Sequence, residues 1–232
     1  MKNKLLTLLV VFGFTLPGLA QSSDSVSYKN HLGVIAKKVN DEYFKEKNPL
    51  IFGFLFKRQI TPSYALRFGS LTAFNKKTHN YANWAPFFRD SIFTTTRVDI
   101  IIGFEKQNSI NKRLSFAYGV DVEPYLSKQN QNKTSRFPSG NIIVFEETNT
   151  ELKTKGILLQ PFLDIRYQLS SKAYIAIDTR PTIDLAKKTF EISGTRGEEG
   201  SSNPGQITGS SERQSISMIY TPISSIQLVF KL

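Results

Sequence analysis

The chain contains no cysteine. That excludes disulfides, thiolate metal sites and a lipid-modified N-terminal cysteine, so the fold must close by hydrogen bonding and packing alone. Its two histidines, His31 and His79, are far apart, and no His pair stands at metal-ligand spacing. Beyond residue 20 no apolar run approaches the ~20 residues that a membrane-spanning helix needs. Any membrane insertion must therefore use strands. No window after that point gives an amphipathic helix, and no internal repeat exists beyond strand pairs. Gly194-Thr-Arg-Gly197 lacks the Lys-Ser/Thr end and the strand-to-helix context of a phosphate loop. Arginines and aromatics do not interleave on one polar face, which argues against nucleic acid as a partner.

What is present begins with a leader. Lys2 and Lys4 precede the apolar stretch Leu5 to Leu16, and Gly18-Leu19-Ala20 offers small residues before a cut. Residues 1–20 read as a cleavable signal peptide, too short for an anchor helix. A short segment, 21–29, would follow, and residues 30–232 would form one domain on the usual length prior. The formal charge is +11, or +9 once Lys2 and Lys4 leave with the leader. For an exported chain, anionic head groups are the more plausible target of that charge.

The remaining chain is rich in Ile, Val, Phe, Tyr and Thr at period two. Eight strands are expected, near 30–38, 49–60, 63–75, 92–106, 113–126, 155–169, 172–185 and 213–232. Connections at 61–62, 107–112 and 170–171 are short. Those at 39–48, 76–91, 127–154 and 186–212 read as long, and two of them, with the polar run Gln129 to Lys133 and the Gly/Ser-rich run Gly194 to Ser211, as mobile loops. Short and long connections alternate along the chain, as in a transmembrane barrel with short periplasmic turns and long outer loops.

Each strand has a bulky apolar face and a small or charged one. Phe52, Phe54 and Phe56 oppose Gly53 and Lys57; Val98, Ile100, Ile102 and Phe104 oppose Arg97, Asp99 and Glu105; Phe116, Tyr118, Val120 and Val122 oppose Ala117, Asp121 and Glu123. A soluble barrel needs the reverse, so the apolar face is assigned to lipid. An eight-stranded barrel has an interior that side chains just fill. Asp99, Glu105, Asp121, Glu123, Asp164, Asp178 and Asp184 would meet Lys57, Arg67, Arg97, Arg166, Arg180 and Lys231 in an ion-pair network that plugs the lumen. A narrow polar conduit is the alternative. Pro124, Pro161, Pro181 and Pro222 each remove a ladder donor, and bulges or strand ends are expected there.

The fold class is thus all-β: a closed antiparallel up-and-down transmembrane barrel of about eight strands. In pattern the chain resembles the small outer-membrane β-barrel family of Gram-negative bacteria, OmpA-like and OmpX-like barrels. The most specific element is the alternating terminal strand Ile226-Gln-Leu-Val-Phe-Lys-Leu232. It is similar to the C-terminal signal read by the barrel-assembly machinery, although the aromatic Phe230 stands two places before the end. The resemblance implies a monomer in the cell outer membrane, in contact with its lipid and lipopolysaccharide. It does not choose a role, because one fold hosts many functions.

Chemistry is sparse. His79, with Ser70, Asp90 and Ser91 nearby in sequence, is the one place where a lipid-modifying enzyme would be sought, but no His-x-Ser spacing occurs. No catalytic, metal-binding or cofactor-binding residue is assigned and no cofactor is expected. Tyr81, Trp84, Phe87 and Phe88 form an aromatic group near Lys76, Lys77 and Arg89 that would contact glycolipid or an outside partner, or fold back on the barrel mouth. The expected role is structural or interactive at the surface, without catalysis. A soluble periplasmic ligand-binding barrel is the reading from outside the membrane class.

Overall fold

The computed structural model describes residues 30–38, 50–81, 88–198 and 201–232. The expected signal peptide, the segment 21–29, the loop 39–48, Trp84 and Phe87 lie outside the described residues. Eight strands follow in chain order: β1 (Asn30–Lys38), β2 (Leu50–Thr61), β3 (Tyr64–Tyr81), β4 (Phe88–Ser109), β5 (Leu114–Ser139), β6 (Ile142–Ser170), β7 (Ala173–Glu198) and β8 (Gly205–Lys231). Each pairs antiparallel with the next, and β1 pairs with β8, which closes the barrel. Closure gives backbone groups a ladder partner without a sheet edge, the requirement for crossing hydrocarbon with strands.

The turns β2–β3, β4–β5 and β6–β7 gather at one end, together with the start of β1 and the finish of β8. There the Leu232 amide donates to the Asn30 carbonyl at 2.7 Å and the Lys231 amide to the Lys172 carbonyl at 2.8 Å.

At the opposite end the structure corrects the expected loops. Segments 127–154 and 186–212 are mostly strand. β5 and β6 run on in register from Leu126↔Lys155 to Ser139↔Ile142, closed by the two residues Gly140-Asn141, with Gly140 at φ 65°. β7 and β8 continue to Arg196↔Gly205. β3 and β4 likewise extend to Tyr81↔Arg89, so most of segment 76–91 is also strand. Among the described residues six strands therefore rise past β1 and β2. From the first paired position after Leu126 to Ser139 the rise along β5 is roughly 40 Å at ~3.3 Å per residue.

The prolines lie where pairing falters. Recorded β6–β7 pairs jump from Leu159↔Ile183 to Leu163↔Thr179, and Pro161 and Pro181 sit in that interval. A bulge separates Asp178↔Ser225 from Arg180↔Thr221, and Pro222 lies in it. Pro124 falls in the β4–β5 gap between Asp99↔Tyr125 and Ile102↔Val122.

Candidate functional site

Alternation in each strand separates two kinds of side chain. Phe54, Ile102, Val120, Ile165, Ile177 and Phe230 are among the many large apolar residues exposed on the outer wall. Along β6 the outward row runs apolar from Leu169 to Ile157, about 40 Å of strand, or about 30 Å of height at a ~40° tilt. That is the thickness of a hydrocarbon core. Inside, Lys57, Arg67, Asp99, Glu105, Asp121, Glu123, Asp164 and Arg180 are fully buried at 0% exposure. The barrel is inside-out relative to a soluble one, as a membrane-spanning barrel must be.

The interior charges interlock in two groups. In the group nearer the turns, Glu105 Oε2 accepts from Arg166 Nη2 at 2.6 Å and Arg67 Nη1 at 3.0 Å, with Lys57 Nζ at 3.3 Å. Asp164 Oδ2 faces the same three cations at 3.0, 3.4 and 3.6 Å. In the upper group Arg180 reaches Asp178 at 2.5 Å, Asp121 at 2.8 Å and Glu123 at 3.4 Å. Asp121 joins the groups, because its other oxygen lies 3.2 Å from Arg67 Nε. Ser225 Oγ and Gln227 Nε2 donate to Asp178 at 2.6 and 3.0 Å.

Lys37 extends this set. It stands at the edge of the charged stretch Lys37 to Lys47, and sequence reasoning did not place it inside. It donates to Glu123 at 2.5 Å and to Gln160 Oε1 at 2.8 Å across the lumen. Arg97 pairs with Asp99 at 2.7 Å. Among the described residues, six cations (Lys37, Lys57, Arg67, Arg97, Arg166, Arg180) thus interleave with six carboxylates (Asp99, Glu105, Asp121, Glu123, Asp164, Asp178). The two remaining expected members lie at the margins. Asp184 accepts a bond from the Tyr125 hydroxyl at 3.0 Å, and Lys231 donates to Gln168 at 2.9 Å near the turn end.

Aromatic rings separate the cations. Phe162 lies 4.0 Å from the Arg67 guanidinium and 5.3 Å from that of Arg180. Tyr174 lies between Lys57 and Arg166 at 5.7 and 5.4 Å, with His31 edge-on at 5.9 Å. Arg97 covers Tyr125 at 4.2 Å. Gly156, opposite Tyr125 in register, opens the slot for that ring, since a Cβ there would stand 2.5 Å from Tyr125 Cε1. Gly103 does the same for Asp121: an added Cβ would collide with its carboxylate.

The inner face also carries bulk, of which the sequence alternation places only Leu55 there, beside Gly53 and Lys57. Ile35, Ile51, Leu55, Leu71 and Ile101 form a fully buried apolar cluster on β1 to β4. These strands therefore carry a greasy patch alongside Lys37, Lys57, Arg67, Asp99 and Glu105. Among the described residues no group of three metal-ligating side chains converges.

The register brings the residues considered for catalysis together only in part. The register sets His79 opposite Ser91 and Asp90 opposite Asn80, so the His79 and Asp90 positions fall on opposite faces of the sheet. Ser70 pairs with Ile100, nine residues along β3 from His79. Of the aromatic group, Tyr81 and Phe88 end β3 and begin β4.

No family model matches the chain, and no curated protein matches it by sequence. Solved structures similar in fold include a major outer membrane protein from Thermus thermophilus (8% identity, TM-score 0.41), which covers 89% of this chain and 100% of that one. Acinetobacter baumannii CarO is similar at 12% identity and TM-score 0.34, over 88% of this chain and 97% of its own. The outer membrane protease OmpT from Escherichia coli is similar at 5% identity and TM-score 0.32, over 88% and 94%.

Proposed function

We propose that this chain is an integral outer-membrane barrel whose lumen is sealed by its own ion pairs and whose role is structural or interactive at the cell surface. One observation carries the sealed lumen: the twelve interior charges are matched and packed, and a central Arg180 touches three carboxylates, one from its own strand and two from β5. A water-filled path would leave such groups solvated. Here each buried ion has an ion-pair partner, the condition under which such burial is tolerated, while Lys57 Nζ, Arg67 Nη2, Arg166 Nε and Asp178 Oδ1 make no hydrogen bond among the described residues.

The surface role is supported by the sheet beyond the apolar band. β1 meets β8 only from His31↔Lys231 to Lys37↔Ser225. Above that level β8 continues to Gly205, and among the described residues its second edge has no strand partner. Among the described residues the backbone of Gly205–Met218 is thus open on that side to an extended segment of an outside partner. The chain reaches the membrane as a signal-bearing precursor, is inserted by the barrel-assembly machinery through Ile226–Leu232, and works as a monomer without catalysis or cofactor.

Planar-bilayer recording tests the seal. The purified protein should give no steady openings; sustained large conductance would support the conduit instead. Shortening the β7–β8 hairpin by removing residues 189–212, with Lys188 and Arg213 joined through an Asn-Gly turn, tests the surface role. The barrel should still show heat-modifiable gel migration, while cell-surface contacts that depend on the protein are lost.

A further inference from the structure

On four strands the same residue closes the outward apolar row at the end away from the turns. Lys76 follows Phe74 on β3, Lys128 follows Leu126 on β5, Lys155 follows Ile157 on β6 and Lys187 follows Leu185 on β7, each two residues on and so on the same face. The opposite rim is different. Tyr64, Tyr118 and Tyr167 stand there on the outward face, with Lys106 over the Tyr64 ring at 5.7 Å.

The lysines of β5, β6 and β7 are brought face to face. Lys128 is the register partner of Lys153, and Lys155 is the register partner of Lys187. Like charges directly opposite each other on neighbouring strands repel. In the first pair the chain supplies the remedy. Glu151 lies 2.9 Å from Lys128 and 2.6 Å from Lys153, so one oxyanion bridges two ammonium groups. Hydrogen bonds from Lys153 and then Lys128 hold its carboxyl below the ordinary carboxylate range. In the second pair Glu212 lies 2.7 Å from Lys187, but among the described residues Lys155 has no acidic partner.

We infer that Lys155 and Lys187 bind the phosphate of an outer-leaflet glycolipid. This inference rests on the membrane-spanning reading given above. The pair stands at the first outward position above the apolar band, the level of the head groups, and a phosphate there meets Lys155, which has no acidic partner among the described residues, and shares Lys187 with Glu212. Acyl chains of the same molecule lie along the apolar rows of β6 and β7 beneath. The bound ligand is thus a phosphorylated amphiphile, and phosphate alone lacks half of the contact. The tyrosine rim faces the other leaflet and needs no such anion.

The test uses the full mature chain in phosphocholine nanodiscs. The probes are bis-phosphorylated lipid A, the same lipid with its phosphates removed, and inorganic phosphate. The parent should bind the bis-phosphorylated lipid. Lys155→Gln with Lys187→Gln should weaken that binding about tenfold or more, since each lysine near an anionic surface contributes about 1 kcal/mol. Lys106→Gln at the other rim should leave it unchanged. Both variants should retain heat-modifiable migration, because the substituted side chains are on the surface. Equal binding by the double variant, equal binding of dephosphorylated lipid, or competition by inorganic phosphate at matching concentration would each overturn the inference. Failure of the parent to insert into phosphocholine bilayers would instead overturn the membrane reading itself.

Discussion

The same strands behave differently below and above the lysine rim. Below it, β5 alternates bulky apolar residues such as Phe116, Val120 and Val122 with Ala117, Asp121 and Glu123. Above it, Lys128, Asn130, Asn132 and Thr134 alternate with Gln129, Gln131 and Lys133, polar on both sides. The ladder to β6 is continuous through both regions. The backbone thus supplies one architecture, and the solvent on each face decides which side chains it carries. A lipid face against an ionic interior gives strong contrast, while polar residues on both faces give almost none.

The lower region should be the easier to break. Arg180→Met would leave Asp121, Glu123 and Asp178 facing each other without their shared cation. A buried pair broken on one side costs about 3–5 kcal/mol. Urea titration in detergent should register that loss as an earlier unfolding midpoint. Next in size is Ile100→Arg on the lipid face, expected to cost about 2–4 kcal/mol near the bilayer midplane. Its counterpart above the rim, Asn132→Arg, should change stability by less than about 0.5 kcal/mol. Equal costs at the two sites would remove the distinction between the regions.

A fourth variant probes packing at the junction. Gly156→Ala pushes a methyl group into the Tyr125 ring and disturbs the stack with Arg97. Overpacking of this kind costs about 1–3 kcal/mol, and fluorescence-detected unfolding in detergent measures it. The smallest effect is expected at the rim. Glu151→Gln frees Lys128 and Lys153 from their shared carboxylate, so binding of bis-phosphorylated lipid A should rise about twofold to threefold, with stability nearly unchanged because exposed pairs contribute only ~0–1 kcal/mol.

The contrast between regions also explains what the sequence made legible. Where one face meets hydrocarbon, period-two alternation is plain, and the inward positions of Asp121, Arg67, Glu105 and Arg180 follow from it directly. Above the rim the contrast vanishes, and polar runs such as Gln129 to Lys133 resemble loops. The signal that marks this hairpin is different: Pro138-Ser139-Gly140-Asn141 followed by Ile142-Ile143-Val144-Phe145. A Gly-Asn step beside a β-branched run is a turn with a strand after it.

Lys37 illustrates another limit. Its partners Glu123 and Gln160 lie 86 and 123 residues away. Its neighbours in sequence place it in a charged run, and only the register of β1 against β2 and β8 turns it inward. Ile35, Ile51, Leu55, Leu71 and Ile101 are similar: each is an apolar residue on a face judged small or charged, and only their convergence from four strands makes a cluster. For the catalytic candidates, proximity in sequence does not translate into one cluster: His79 is the register partner of Ser91, while Asp90 pairs with Asn80 and Ser70 with Ile100.

Orientation of the two faces is the claim on which the rest depends. A carbene-generating probe dissolved in the acyl chains of a bilayer, followed by residue-level mass spectrometry, tests it on the unmodified chain. Adducts should fall on Phe116, Tyr118, Val120 and Val122, and be missing from Ala117, Asp121 and Glu123. Labelling of the Asp121 and Glu123 carboxylates, with the Phe116–Val122 row protected, would contradict the account.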